Sequence, residues 1–160
     1  FFHNFKFIFK DMIKFELLET ETIPTIVNLM VDFYAIDGYP INKENTTNLF
    51  FEFVNKPEAG KCFVIKYNNE ICGYTILVPF FSFEMSGNVL LLDELYIDSN
   101  FQGKGIGKKA MEFIKQFAQE NNYKKIVLEV EPHNQRAIQL YEKEQFKKHK
   151  RDLMIFSPNK

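Results

Sequence analysis

The sequence predicts a mixed α/β (α+β) domain: a mostly antiparallel sheet flanked by helices, in the order β-α-α-β-β-β-α-β-α-β. Three observations carry this. The β-rich runs Lys61–Tyr67 and Glu70–Phe83 meet at Asn68-Asn69, residues that tolerate the positive φ of a tight hairpin turn. The apolar run Val89–Asp98 leads through a glycine-rich loop into a segment of helical periodicity and then another strand, a crossover that makes the two flanking strands parallel neighbours. Ahead of the hairpin, two segments carry apolar residues at helical spacing.

In chain order, Ile13, Phe15 and Leu17 alternate with Lys14 and Glu16, the pattern of a half-buried strand. Thr20 or Thr22 supplies an N-cap and Pro24 lies in the first turn of a helix whose buried stripe is Ile23, Ile26, Val27, Met30, Phe33 and Tyr34. That helix ends near Asp37-Gly38, and Pro40 blocks its continuation. Asn42 caps a second helix with Thr46, Leu49, Phe50 and Phe53 on one face. In the hairpin, a turn at Asn68-Asn69 pairs Tyr67 with Glu70, and Pro79 ends the ladder or marks an edge. Ser86 to Asn88 turns the chain into the Val89–Asp98 strand. The next helix, Ile106 to about Asn121, buries Ile106, Ala110, Phe113, Ile114, Phe117 and Ala118. A strand from Lys125 to Glu131, a short helix from Asn134 to Glu144 and terminal strand material from Phe146 to Phe156 complete the order.

A chain of 160 residues is enough for one domain with a sizeable core. Residues 12–160 read as that domain. Residues 1–11 read as a leader or appended remnant, or alternatively as a strand on a sheet edge. A net charge of −1 gives no chain-wide field for nucleic acid, and no stretch approaches the apolar length of a membrane span. Cys62 and Cys72 do not fall opposite each other in the expected hairpin register, so a disulfide is not expected and a reducing cytoplasm fits. No Cys/His cluster points to a metal.

The loop Gln102-Gly103-Lys104-Gly105-Ile106-Gly107 is the most specific feature. Its glycines let the backbone approach a bulky anion, the following helix contributes a positive N-terminus, and Lys104, Lys108 and Lys109 add cationic groups. The spacing matches neither a Walker A loop nor a dinucleotide-binding fingerprint. On these grounds the loop is either a phosphate cradle or a tight strand-to-helix turn.

The run from Leu95 to Met111 resembles the acetyl-CoA-binding motif of the GNAT family of N-acetyltransferases, whose Q/R-x-x-G-x-G/A pattern is met by Gln102, Gly105 and Gly107. A second motif of that family resembles the run from Asn134 to Phe146. The resemblance implies the GNAT fold, a single N-acetyltransferase domain over 12–160, and transfer of an acetyl group from acetyl-CoA to a primary amine by direct attack in a ternary complex. It also implies a set of cofactor-binding residues: Leu95, Tyr96 and Ile97 along the pantetheine, Gln102, Gly103, Lys104, Gly105, Ile106, Gly107 and Lys108 about the pyrophosphate, and Asn134 and Tyr141 lining the cleft. One departure from the family pattern is Gln145, which stands before Phe146 where Gly is usual and would carry a penalty in a left-handed C-cap.

Asn134 and Tyr141 on their own residues are a cap and a packing aromatic; the resemblance makes Tyr141 the acid that protonates the leaving thiolate, a role a neutral phenol can fill. Glu94 is an acidic residue inside an apolar strand, sharing its face with Leu92 and Tyr96, and adjacent Asp93 points to the opposite face. Glu94 is either the base that takes the acceptor's proton or a strand-end carboxylate paired with a Lys; Asp93 competes for the role. The resemblance sets the end of the first helix beside the acceptor site, which makes Tyr34, Tyr39 and Phe80, with Glu94, the expected acceptor-binding residues, an aromatic and mildly acidic wall suited to a small amine or polyamine; on their own the aromatics read as core and turn. Lys147 to Arg151 reads as a solvated basic strand. The expected partner is a small-molecule or peptide amine, without nucleic acid or membrane; a monomer and a homodimer are both compatible. The alternative is a non-catalytic acyl-CoA-binding or partner-binding module on the same fold.

Overall fold

The computed structural model describes residues 7–9, as backbone, and residues 12–158. Most of the expected leader, residues 1–6, 10 and 11, lies outside the described residues. The chain divides into two compact units, Phe1–Glu129 and Val130–Lys160.

The first unit holds a six-stranded sheet in sequential order: β1 (Phe7–Phe9), β2 (Ile13–Leu17), β3 (Lys61–Tyr67), β4 (Glu70–Ser82), β5 (Gly87–Ile97) and β6 (Lys125–Leu128). All neighbours are antiparallel except β5 and β6, which run parallel as the crossover requires. Phe7–Phe9 is an edge strand paired with β2. The β3–β4 turn pairs Tyr67 with Glu70, with Asn68 and Asn69 at φ 50° and 68°. This is the hairpin the sequence predicts. The β3–β4 ladder stops at Leu77, two residues before Pro79, while β4 continues against β5 to Ser82; Pro79 thus sits where β4 is locally an edge. Cys62 and Cys72 are both free and buried.

Helices α1 (Ile23–Asp37) and α2 (Lys43–Val54) cover one face of the sheet and α3 (Ile106–Glu120) the other. Alternate residues of β3 divide between them. Cys62 and Val64 join the α1 cluster with Ile23, Ile26, Val27 and Met30. Phe63 packs on Phe113 and Phe117, and Phe15 stacks on Phe113 with ring centroids 4.4 Å apart. A sheet buried on both faces explains the nearly unbroken apolar runs of its central strands. Gly38 closes α1 in the left-handed region, and Asn42 caps α2 by accepting from the Asn45 amide at 2.9 Å. Thr22 stands at the N-cap of α1 but makes no capping bond; the chain enters through a 3-10 turn, Thr20–Thr22, that tightens the start instead.

Two corrections concern the later strands. β6 ends at Leu128 rather than Glu131, because its partner β5 stops offering a regular ladder beyond Leu92. In the second unit, helix α4 (Gln135–Lys143) forms as expected, but no strand forms among the described residues after it. The Lys147–Arg151 run has no apolar alternation, and Leu153, Met154, Ile155 and Phe156 are exposed. The order is thus β-β-α-α-β-β-β-α-β-α, with the expected last strand replaced by irregular chain.

Candidate active site

The site is built on β5. Opposite it on β4, Ile76 pairs with Glu94 and Leu77 with Leu92, which leaves Asp93 unpaired as the extra residue of a β-bulge. The bulge resets the alternation. Ile76 and Leu77 point to opposite faces, so Glu94 and Leu92 do too. Glu94 and Tyr96 share the α1 face with Tyr74 and Ile76, while Leu92 lies on the α3 side. Asp93, expected to face away from Glu94, is turned to the same cavity.

That cavity has a volume of about 540 Å³ and lies between α1, α2 and the β4–β5 surface. Met30, Ile41, Leu49, Phe50, Phe53, Ile76 and Val78 supply most of its wall; Asn42, Asn45 and Thr46 are polar groups along α2, and Asp93 and Glu94 close one end. The sequence marks the Thr46, Leu49, Phe50 and Phe53 face correctly, yet only Phe50 is fully buried, because the face lines an opening instead of filling a core.

Two phenols hold Glu94. Tyr34 Oη donates to one carboxylate oxygen at 2.7 Å and Tyr74 Oη to the other at 2.6 Å. Thr75 Oγ1 donates to the Glu94 backbone carbonyl at 2.9 Å. Burial raises the Glu94 carboxyl above the ordinary range; the two phenol bonds oppose this, and the Asp93 charge adds to the rise. The Asp93 carboxyl is also raised, by burial and by Glu129. Burial and the Glu94 carboxylate push both phenols up, so they remain neutral donors. Of the other expected acceptor residues, Tyr34 lines the cavity. Tyr39 is exposed and meets the Tyr34 ring edge-on at 6.3 Å, and Phe80 is exposed on the outer part of β4; neither is in the cavity wall. Tyr74 escapes sequence reasoning. A phenol in a mostly apolar strand is its signal, and its partner becomes visible only with the β4–β5 register.

Beyond the bulge, β5 continues against β4 to Ile97 while β6 has ended, so the β6-side edge of Asp93–Ile97 has no ladder partner among the described residues. A strand edge of this kind offers backbone N–H and C=O groups to a ligand. Leu95, Tyr96 and Ile97 lie on it, with the Tyr96 ring buried against Phe33. The chain then makes a short 3-10 turn capped by Asp98, and Gln102 donates to the Ile97 carbonyl at 3.3 Å. Gly103 and Gly105 both have φ 77°, and a Cβ on either would meet nothing within 4 Å. The space in front of the loop is open, and the glycines answer a conformational need. Gly105 is the N-cap of α3, whose first intrahelical bond is Lys109 N–H to Gly105 C=O. The N–H groups of Ile106, Gly107 and Lys108 therefore have no partner within the helix. The Ile106 side chain is buried, leaving its backbone as the usable part, and Gly107 belongs to the first turn of α3. Lys108 is exposed, Lys109 pairs with Glu112 at 2.6 Å, and Lys104 Nζ stands 5.8 Å from the Tyr67 ring centroid. Open glycines, unbonded amides and a helix N-terminus fit a phosphate-bearing group such as the pyrophosphate of acetyl-CoA.

In the second unit, Asn134 caps α4 by accepting from the Ala137 amide at 3.0 Å. Tyr141 is half-buried, its ring 6.0 Å from that of Phe146, and burial raises its pKa. Gln145 occupies the left-handed position at φ 70°, and Phe146 N–H bonds back to the Tyr141 carbonyl at 2.9 Å, closing the helix. Among the described residues no cluster of His, Cys, Asp and Glu is suited to a metal ion, and no helix is long and apolar enough to cross a membrane.

A model of the acetyltransferase (GNAT) family matches residues 23–146. The chain is 32% identical over 79 residues to an uncharacterised N-acetyltransferase, YhfO, of Bacillus subtilis (strain 168), covering 49% of this chain and 53% of that protein. It is 31% identical over 94 residues to a spermine/spermidine N(1)-acetyltransferase of the same strain, covering 54% and 62%. The chain thus matches between half and two thirds of the length of these relatives. A crystal structure of a possible acetyltransferase from Clostridium difficile 630 superposes with a TM-score of 0.82 at 18% identity, covering 93% of this chain and 99% of that one. A predicted acetyltransferase from Clostridium acetobutylicum, solved with acetyl-CoA, gives 0.72 at 18% identity, covering 91% and 96%. At these identities the structural likeness concerns the fold.

Proposed function

This chain belongs to the GNAT acetyltransferase family, and from that premise we propose that it transfers an acetyl group from acetyl-CoA to a primary amine within a ternary complex. The observation that carries the reading is the layout of β5. A half-buried carboxylate held by two phenols is followed by an unpaired strand edge and then by an open glycine loop at a helix N-terminus.

Acetyl-CoA supplies the activated acyl group as a thioester. The backbone amides from Gly103 to Lys108 hold its pyrophosphate, and the free edge of Leu95 to Ile97 aligns the pantetheine and offers donors to the acyl oxygen. Glu94 takes a proton from the acceptor ammonium, so that the neutral nitrogen can attack the acyl carbon; Asp93, turned to the same cavity, holds the cation close. A raised Glu94 pKa suits this role, because a stronger base removes an ammonium proton more readily. Tyr141, kept neutral by burial, gives a proton to the sulfur as the carbon–sulfur bond breaks; the acylated nitrogen sheds its second proton to solvent, from which the phenol regains the one it gave. Asn134 contributes by fixing the start of the helix that carries Tyr141. The two buried free cysteines support a reducing, cytoplasmic setting, and their thiols, raised by burial, are poor nucleophiles, in keeping with direct attack by the amine.

The similarity to a spermine/spermidine N(1)-acetyltransferase supports an amine as the acceptor class. The test is a thermal shift with acetyl-CoA together with thiol release across an amine panel. Saturating acetyl-CoA at a hundred times its Kd should stabilise the fold by about 2.7 kcal/mol. No stabilisation and no thiol release would sink the proposal. Full turnover by Tyr141→Phe would sink the assignment of the acid.

A further inference from the structure

We propose that the cavity selects a primary amine with one ammonium group on an apolar alkyl or aryl body, in preference to a polyamine. This rests on the acetyltransferase reading and narrows its acceptor.

The inference comes from where charge sits in the cavity. Its carboxylates at the β5 end are Asp93 and Glu94, sequence neighbours turned to the same space by the bulge. They answer one cation at one place. The third acidic side chain in the wall, Glu52, is on α2 and already pairs with Lys56, just past the end of that helix. Apart from Asn42, Asn45 and Thr46, the rest of the wall is mostly apolar, with Ile41, Leu49, Phe50, Phe53, Ile76 and Val78. A ligand whose first nitrogen lies beside Glu94 therefore runs its body over apolar side chains.

For a monoamine with an alkyl or aryl body this is favourable, since both ligand and wall lose apolar surface to each other. For a polyamine, the second and third ammonium groups fall on the same apolar stretch. Each loses part of its hydration there and meets no carboxylate unless Glu52 gives up Lys56. Phe50 and Phe53 could return some of that cost through their ring faces, but by less than a carboxylate would. Asn42, Asn45 and Thr46 offer neutral dipoles, which suit a hydroxyl or amide on the ligand and do not neutralise a second charge.

The experiment measures thiol release with saturating acetyl-CoA, comparing an arylalkyl or alkyl monoamine with putrescine, spermidine and spermine. The expected result is a kcat/KM at least about tenfold higher for the apolar monoamine, the scale of one buried polar group left without a partner. Leu49→Asp places a carboxylate in the middle of the apolar stretch, at a position already 54% exposed. It should move the ratio toward the polyamines by at least about tenfold, mainly through KM. Thr46→Asp, one turn earlier on the same face, is the second variant and should move the ratio the same way. A wild-type preference for polyamines, or a ratio that neither carboxylate moves, overturns the inference and leaves acetyl transfer standing. No turnover with any amine overturns the acetyltransferase reading and this inference with it.

Discussion

Asp93 and Glu94 are adjacent on β5 and yet line the same cavity, because Asp93 is the residue left unpaired between the Leu77–Leu92 and Ile76–Glu94 pairs. In a regular strand one of the two would face α3. The bulge does three things at once. It gathers two negative charges at one end of the cavity, sets Glu94 between Tyr34 and Tyr74, and coincides with the point where β6 leaves β5. Bulges are common beside active sites for this reason: one extra residue re-aims a side chain and ends a ladder.

Glu94→Gln separates catalysis from stability. The amide keeps an oxygen for one phenol and can donate to the other, so the local bonding survives. It cannot take a proton. The expected kcat falls by about 10²–10⁴, the usual worth of a general base. Stability moves the other way. The folded protein raises the Glu94 pKa, so this group's contribution is fully present below the unfolded glutamate pKa and is lost as pH rises through the folded value. At pH 7–8 the wild type carries that loss and the Gln variant does not. Thermal melts across pH 4–8 should show a flatter profile for Glu94→Gln and a melting temperature at neutral pH no lower than that of the wild type. A clear drop at neutral pH would mean that the carboxylate is stabilised in the fold.

The two phenols set where Glu94 titrates. Each bond favours the charged carboxylate and lowers a pKa that burial raises. Tyr34→Phe removes one donor and leaves burial less opposed, so the Glu94 pKa climbs. Glu94 acts as a base only when ionised, and the acidic limb of the kcat/KM profile should therefore move to higher pH. Tyr74→Phe should move it in the same direction. It should also cost about 1–3 kcal/mol, because Tyr74 is fully buried and its loss leaves a half-buried carboxylate oxygen short of a donor. An acidic limb that stays in place in both variants would detach Glu94 from the rate.

Gly105→Ala probes the loop. The residue has φ 77°, where an L side chain costs about 1–2 kcal/mol, so the variant should melt at a lower temperature. The new methyl group meets no protein atom within 4 Å and so projects into open space at the residue that caps α3. Acetyl-CoA affinity should consequently fall by more than the stability loss explains. The control is Gly38→Ala, at φ 70° and also with nothing within 4 Å, at the C-terminus of α1. It carries similar strain and should leave acetyl-CoA affinity as it is. Equal affinity losses in the two variants would show that strain alone is at work.

Much of this arrangement is legible in the chain. Asn68-Asn69 fixes a hairpin register because both residues accept positive φ, and the α3 stripe from Ile106 to Ala118 has an unmistakable period. The bulge is not legible. The run from Val89 to Leu92 is apolar on both faces, and such a run carries no phase from which to tell where the Asp93 and Glu94 that follow it point. Leu92 and Glu94 read as sharing a face for that reason. The connection from β4 to β5 passes through Phe83 to Ser86 and lacks the two-residue turn that pins the first hairpin, so the Tyr74–Glu94 contact stays hidden too. The last strand fails differently. Leu153 to Phe156 has the residue types of a strand, but residue type alone does not supply the partner that a ladder needs.

Gln145 gives a test that leaves the chemistry aside. It holds φ 70° at the end of α4, where the Phe146 amide must return to the Tyr141 carbonyl and the Gln145 amide to that of Glu142. That geometry asks for glycine, and a side chain there costs about 1–2 kcal/mol. Glycine has an offsetting cost of about 0.5–1 kcal/mol, through the extra freedom of the unfolded chain. The net expectation for Gln145→Gly is a gain of about 0.5–1 kcal/mol, the difference between those two terms. Denaturant melts followed by the fluorescence of the tyrosines, Tyr141 among them, would measure it. Gln145→Asn, which tolerates the left-handed region better than Gln, should fall between the two. A loss of stability in Gln145→Gly would mean that the Gln side chain makes a contact worth more than the strain it accepts.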